Sequence, residues 1–480
     1  MRAPELLLPA GTLEKMRTAY AFGADAVYAG QPRYSLRARN NEFRMEELCT
    51  GIAEAHALGK KLFVASNLMP HNAKVKTYMA DMAPVIEMKP DALIMADPGL
   101  IAMVRERWPE VAIHLSVQAN TVNYAAVKFW QSLGLTRVIL SRELSLDEIE
   151  EIRQQCPDIE LEVFVHGALC IAYSGRCLLS GYFNHRDANQ GTCTNSCRWD
   201  YKVNSAIEDS TGDIRPLPSS LPPAGEWANV PSPAGGRELG RGSADSGQPE
   251  KIDFDFDRAL NESALSDCGS QPRHPQADRV YVISRQDHPG ELMPVLEDEH
   301  GTYIMNSMDL RAVEHVARLV KIGIDSLKVE GRTKSIYYVA RTAQVYRQAI
   351  ADAVAGRPFD YSLLGALDAL ANRGYTDGFY ERHHTHEQQN YMRGHSESSR
   401  QQYVGDIVMC ANGIAEIDVK NRFQVGDRLE IIHPSGNRII QLAEMRSLAG
   451  ETLTIAPGSG HRVQIPLQGE VAKGMVARFI

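Results

Sequence analysis

Two textures of apolar and polar positions run along this chain. From Glu5 to about Glu330, short apolar runs of strand length alternate with stretches whose apolar residues recur at helical spacing. The strand-like runs are Glu5 to Leu8, Ala24 to Ala29, Lys61 to Ala65, Ala92 to Met95, Ala112 to Ser116, Arg137 to Leu140, Glu160 to Val165 and Ser326 to Glu330. Between them lie helical patterns such as Thr12 to Phe22, with Thr12 placed as an N-cap, Tyr124 to Leu133 and Leu146 to Gln155. Eight strands in βα alternation predict a (β/α)8 TIM-barrel-like domain, although a doubly wound open sheet fits the same alternation. From Gln401 onward short strands separated by Asn-Gly, Val-Gly-Asp and Pro-Ser-Gly-Asn turns predict a small all-β barrel domain.

The pattern breaks between those textures. Residues from about 204 to 278 are rich in Pro, Gly, Ser and Asp and hold no sustained period, which predicts a long flexible insertion in a βα loop. Within it, Asp253 to Asp257 alternates like a strand but carries too much charge to be buried. A helix from Ser335 to Ala355, ended by Gly356 and Pro358, is expected to expose Arg341 and Arg347. The reading therefore divides the chain into a barrel domain at 1–334, interrupted by the insertion, a helical connector at 335–400 and a β domain at 401–480.

Composition narrows the class. Length 480, with 44% apolar and 23% charged residues, suits a globular protein of two or three domains. No apolar run approaches the roughly 20 residues that span a bilayer, and the first residues do not form a secretory leader, so a cytoplasmic protein is expected. The net charge of −9 argues at first against a nucleic-acid partner. Residues 204 to 278, however, hold 13 acidic and 6 basic residues, so most of the excess sits in the insertion. The remaining body is near neutral and can present a basic face to phosphate.

In a reducing compartment clustered cysteines suggest metal or redox chemistry. Four of the eight stand together: Cys170, Cys177, Cys193 and Cys197. Their uneven spacing suits an iron–sulfur cluster better than paired zinc knuckles, though both readings stand on residues alone. The strand before them has a period of two. It puts Glu162, Phe164 and His166 on one face, which would point into the barrel beside Lys328 and Glu330 of the last strand. His166 is a candidate general acid/base, with Glu162 and Glu330 as further catalytic candidates, while a buried Glu162–Lys328 ion pair is the purely structural alternative. Polar residues gather after the strands, among them Gln31, Ser66, Asn67, Asp97, Gln118, Asn120, Arg142 and Glu143, where a barrel builds its site. Arg332 and Lys334 follow the last strand at a helix start and suit an anionic ligand. His383, His384 and His386 read as surface residues, and no Gly-x-Ser-x-Gly or His-Glu-x2-His motif supports peptidase chemistry.

Three stretches carry a family resemblance: Glu162 to Ser180 with Cys193 and Cys197, Lys328-Val-Glu-Gly-Arg332, and Asn372 to Phe379 with its Gly-Tyr-Thr-Asp-Gly core. With Glu5 to Gly11 and the C-terminal β unit, they make the chain resemble the collagenase-like peptidase family U32 nearly throughout. Within that family it is most similar to members that help make 5-hydroxyuridine at the wobble position of tRNA. Despite the peptidase label, the resemblance implies an oxygen-independent hydroxylase that depends on prephenate, acts on the tRNA anticodon region and carries a 4Fe-4S cluster. Cys170, Cys177, Cys193 and Cys197 would then be the cluster ligands. Arg332, Lys334, Arg33 and Arg37 are candidate contacts for prephenate or phosphate, because planar cations bind carboxylates bidentately. A peptidase and a non-catalytic RNA-binding protein with structural zinc remain the alternatives.

Overall fold

The structure is a computed structural model. It describes the chain apart from residues 1, 32, 36–42, 69, 71, 169–171, 174–175, 178–200, 209–213, 217–279, 286–287, 299–300, 305–308, 373, 382–400 and 470–473, and between 168 and 304 it describes backbone alone. Eight parallel strands form its centre: β1 (Glu5–Pro9), β2 (Ala26–Gly30), β3 (Lys61–Ser66), β4 (Ala92–Met95), β5 (Ile113–Leu115), β6 (Arg137–Ile139), β7 (Glu160–Ala168) and β8 (Ser326–Val329). Each pairs with the next in order, and β8 pairs with both β7 and β1, which closes the sheet into a barrel. The open-sheet alternative is thereby excluded.

Helices α1 (Leu13–Ala21), α2 (Met45–Ala57), α3 (Asn72–Glu87), α4 (Pro98–Arg107), α5 (Tyr124–Ser132), α6 (Leu146–Gln155) and α7 (Val316–Ile322) connect successive strands. Their starts follow local chemistry. Thr12, Asp97, Asn123 and Ser145 each accept a hydrogen bond from a backbone N–H of the first turn, and Ser145 with Glu148 completes a capping box.

Helix α8 (Ile336–Val354), capped by Ser335, packs on α1 and β1. It is the eighth helix of the barrel, not a connector, and thirteen of its residues are buried. That corrects the expectation for Arg341. It is almost wholly buried, bonded to Glu430 and to the Gln401 side-chain oxygen at 3.1 Å, because the β domain covers this face. Arg347 is partly exposed and bonds the Gly23 carbonyl at 2.8 Å as well as Asp25.

The insertion is more ordered at its borders than its composition predicts. Strands Tyr201–Glu208, Ile214–Pro216, Val280–Arg285, His288–Asp298 and Gly301–Ile304 form one antiparallel sheet. The second, and the first from residue 204 onward, fall in the stretch expected to be flexible, so its border moves beyond residue 216. Their alternation is too short to register as a sustained period, and ladder partners from 280 onward complete it. Residues 217–279, including Asp253 to Asp257, lie outside the described ones.

After residue 400 comes an eight-stranded antiparallel half-barrel whose longest strand is Gln401–Ala411. It has a core of its own, including Val404, Ile417, Phe423, Leu429, Ile431 and Val463, while Ile432, Met475 and Ala477 join the barrel's core.

Candidate functional site

The barrel interior is crossed by charge. Arg137, the first residue of β6, donates to Glu5 at 2.6 Å, to Glu160 at 2.8 Å and to Glu162 at 2.9 Å, and Lys328 donates to the other Glu162 oxygen at 2.7 Å. Glu162 is fully buried. Burial by itself would raise its carboxyl pKa, but Lys328 and Arg137 outweigh burial and hold it below the usual carboxylate range. The chain of charges begins at the N-terminal strand ends and stops in mid-barrel. The expected Glu162–Lys328 pair is present, and Arg137 and Glu5 extend it. Removing one member of such a network leaves an uncompensated buried charge and costs about 3–5 kcal/mol.

Above this network the ring of Phe164 is contacted by two cations. Lys328 Nζ lies 5.5 Å from its centroid and the Arg142 guanidinium carbon 3.9 Å. Lys328 also lies 4.5 Å from the ring centroid of Tyr28. Burial above all pushes the Lys328 amine down, Glu162 opposes it, and Arg137 and Arg142 add repulsion.

His166 is not in the lumen. The register between β7 and β8 runs Glu162 with Ser326 and Phe164 with Lys328, then jumps to His166 with Val329, leaving Val165 as a bulge. One extra residue reverses every later side chain. His166 therefore faces α8, its ring 5.7 Å from Tyr338, 5.6 Å from Tyr346 and 5.4 Å from Tyr375. Its Nδ1 lies 3.4 Å from the Tyr346 hydroxyl, and its Nε2 has no hydrogen-bond partner among the described residues. Burial, followed by Lys334 and Arg311, pushes its pKa down to about 3.

Beyond the bulge β7 continues past the barrel and is joined antiparallel by Asp309–Arg311, which pairs in parallel with Tyr375–Thr376. This extension carries the Asn372 to Phe379 motif to the cysteine motif. Tyr375 packs on His166, Arg311 lies over the Tyr375 ring at 4.8 Å, and the Tyr380 hydroxyl donates to the Phe164 carbonyl at 2.5 Å. Gly167 holds φ +113°, and a Cβ there would stand 2.7 Å from the Glu330 carbonyl oxygen, so only glycine fits.

After β7, Ala172–Tyr173 and Arg176–Cys177 form a small antiparallel hairpin that sets Cys177 opposite Ala172. Only the backbone of Cys177 is described, and Cys170, Cys193 and Cys197 lie outside the described residues, as do Arg37 and His383, His384 and His386. Glu330 is one residue past β8, its N–H donating to the His166 carbonyl at 2.8 Å. Arg332 and Lys334 follow it at the mouth, and Lys334 Nζ lies 5.7 Å from the Tyr338 ring. Arg33, with φ +108°, is held by Asp81 at 2.8 Å.

The sequence agrees with a known family on nearly this whole frame. The peptidase family U32 profile matches residues 11–227 and 260–390, and the U32 C-terminal domain profile matches 399–478. The chain belongs to peptidase family U32. The tRNA hydroxylation protein P of Escherichia coli (strain K12) is 56% identical over 97% of this U32 chain and 94% of its own length. A protein of Methanocaldococcus jannaschii named an uncharacterized protease is 30% identical over 98% of this chain and 96% of its own. An E. coli 23S rRNA 5-hydroxycytidine synthase is 36% identical over 44% of this chain and 31% of its own length. Among the described residues of the U32 chain, no helix is long and apolar enough to cross a membrane.

Proposed function

We propose that this protein hydroxylates uridine at the wobble position of tRNA to 5-hydroxyuridine, with prephenate as co-substrate and a 4Fe-4S cluster held by Cys170, Cys177, Cys193 and Cys197. The observation that carries the reading is the likeness to the tRNA hydroxylation protein of E. coli, at 56% identity over 97% of the chain. The relative named for 5-hydroxycytidine synthesis supports position 5 of a pyrimidine as the reacting centre. A protease name is attached to a relative at 30% identity, and the nearer likeness outweighs it.

The donor set suits the cluster, since four thiolates within 28 residues of sequence can reach irons from different directions. When bound, such a cluster supplies electron-transfer chemistry. The protein's own residues supply the rest. The buried charges of Glu5, Arg137, Glu162 and Lys328 set the field inside the barrel, and the mouth offers cations to an anionic co-substrate. A target base must leave its stack to reach a barrel mouth, which suits the unpaired bases of an anticodon loop.

The test is nucleoside analysis of tRNA from cells lacking this gene and any parallel hydroxylase. Complementation with the wild-type gene is expected to restore 5-hydroxyuridine derivatives, and complementation with Cys170→Ala is not. An unchanged nucleoside profile after deletion would overturn the reading. Iron, sulfide and zinc assays on anaerobically purified protein separate the cluster from zinc: stoichiometric zinc without sulfide would remove the cluster from the proposal.

A further inference from the structure

Arg142 sits at the first turn after β6, on the C-terminal rim where barrels build their sites. Its loop is pinned on both sides. Ser141 is buried and its N–H donates to the Thr121 carbonyl at 3.1 Å; Leu144 is buried; Ser145 caps α6. The adjacent acid, Glu143, is taken by the Ser141 hydroxyl, which donates to its carboxylate. The guanidinium itself lies over Phe164 at 3.9 Å and has no hydrogen bond or ion pair among the described residues. A planar guanidinium without such bonds can offer two N–H groups to a bidentate acceptor.

The neighbouring cations differ. Lys328 is committed to Glu162 at 2.7 Å, Arg33 to Asp81 at 2.8 Å and Arg311 to Asp368 at 2.7 Å. Arg142 thus brings a charge without a counter-ion among the described residues to a rim already repelled by Lys328. An anion supplied from solution is the group that would balance it.

We infer that Arg142 is the residue that grips a carboxylate of the small dicarboxylate co-substrate, holding it against the Phe164 face of the barrel mouth. The inference rests on the hydroxylase reading for the ligand's identity as prephenate. The residue is partly exposed, so its replacement is expected to leave the fold intact.

The experiment is isothermal titration of prephenate into the full-length protein, purified anaerobically, with and without tRNA. Wild type, Arg142→Gln, Arg142→Lys and, as a distant surface control, Arg446→Gln are compared, with melting temperature and tRNA affinity recorded for each. Arg142→Gln is expected to raise the prephenate Kd by about ten- to hundred-fold, the scale of one lost charge-assisted bidentate contact. Arg142→Lys should recover part of that loss, since it restores charge without the planar fork. Melting temperature, tRNA affinity and the Arg446→Gln control should stay unchanged. If Arg142→Gln and Arg142→Lys bind prephenate as the wild type does, or lose tRNA alone, the inference falls and the hydroxylase reading stands. If the wild type binds no prephenate in either condition, the prephenate part of that reading falls and takes the inference with it.

Discussion

His166 illustrates how one residue of register changes a role. Four positions before Cys170 and in phase with Glu162, it reads as a lumen group, yet the bulge at Val165 turns it among the tyrosines of α8. Its neutral ring is a stability statement with a definite sign. The unfolded ring takes a proton near pH 6.5, whereas the buried one stays neutral down to about 3. A depressed folded pKa means that the stabilisation is complete above pH 6.5 and is lost as pH falls towards 3. Between pH 7 and pH 5 the loss is about 2 kcal/mol from this group. Urea unfolding at pH 7, 6 and 5 is expected to show that slope in the wild type and a shallower one in His166→Phe. Parallel slopes would mean that the ring is hydrated in the folded protein.

Among the elements, β7 organises the molecule. Its first half pairs with β6 and β8 inside the barrel, and its second half leaves the barrel and recruits Asp309–Arg311. Gly167 is where the change of course is made. Gly167→Ala forces a left-handed φ on an L-residue and drives a Cβ to 2.7 Å from the Glu330 carbonyl oxygen. We expect a loss of about 1–3 kcal/mol, read by chemical denaturation. An alanine variant with wild-type stability would show that the extension tolerates displacement.

The whole molecule is tied together through α8. Arg341 bridges from this barrel helix to Glu430 and Gln401 of the β domain, and the Tyr337 ring stacks on Tyr403 at 5.3 Å. Burial opposes the Arg341 charge, but Tyr337 and Glu430 sustain it. Arg341→Ala leaves half-buried Glu430 with the Gln401 and Asn437 amides as its remaining side-chain donors among the described residues, at about 1–3 kcal/mol. In scanning calorimetry one unfolding transition is expected to split into two, for barrel and β domain, since each has its own core. A single transition at the wild-type temperature would mean that the apolar contacts alone couple the domains.

Much of this was legible in one dimension because it depends on local periodicity. The eight barrel strands, the helix caps at Thr12 and Ser145, the inward face of Glu162 and Lys328, and the β domain after Gln401 all follow from spacing along the chain. The family likewise follows from short motifs. What spacing cannot carry is partnership between distant segments. Arg137 reads as the start of an ordinary strand, and only barrel closure brings it to Glu5 and Glu162. Arg341 reads as exposed until the β domain covers it. His166 keeps its phase until β8 forces a bulge, and Arg142 is one polar loop residue among many until Phe164 is found beneath it. Backbone propensity and alternation are properties of neighbours in sequence, so the chain determined its elements and its donor set. Burial, register and charge balance are properties of neighbours in space, and those the tertiary structure alone decided.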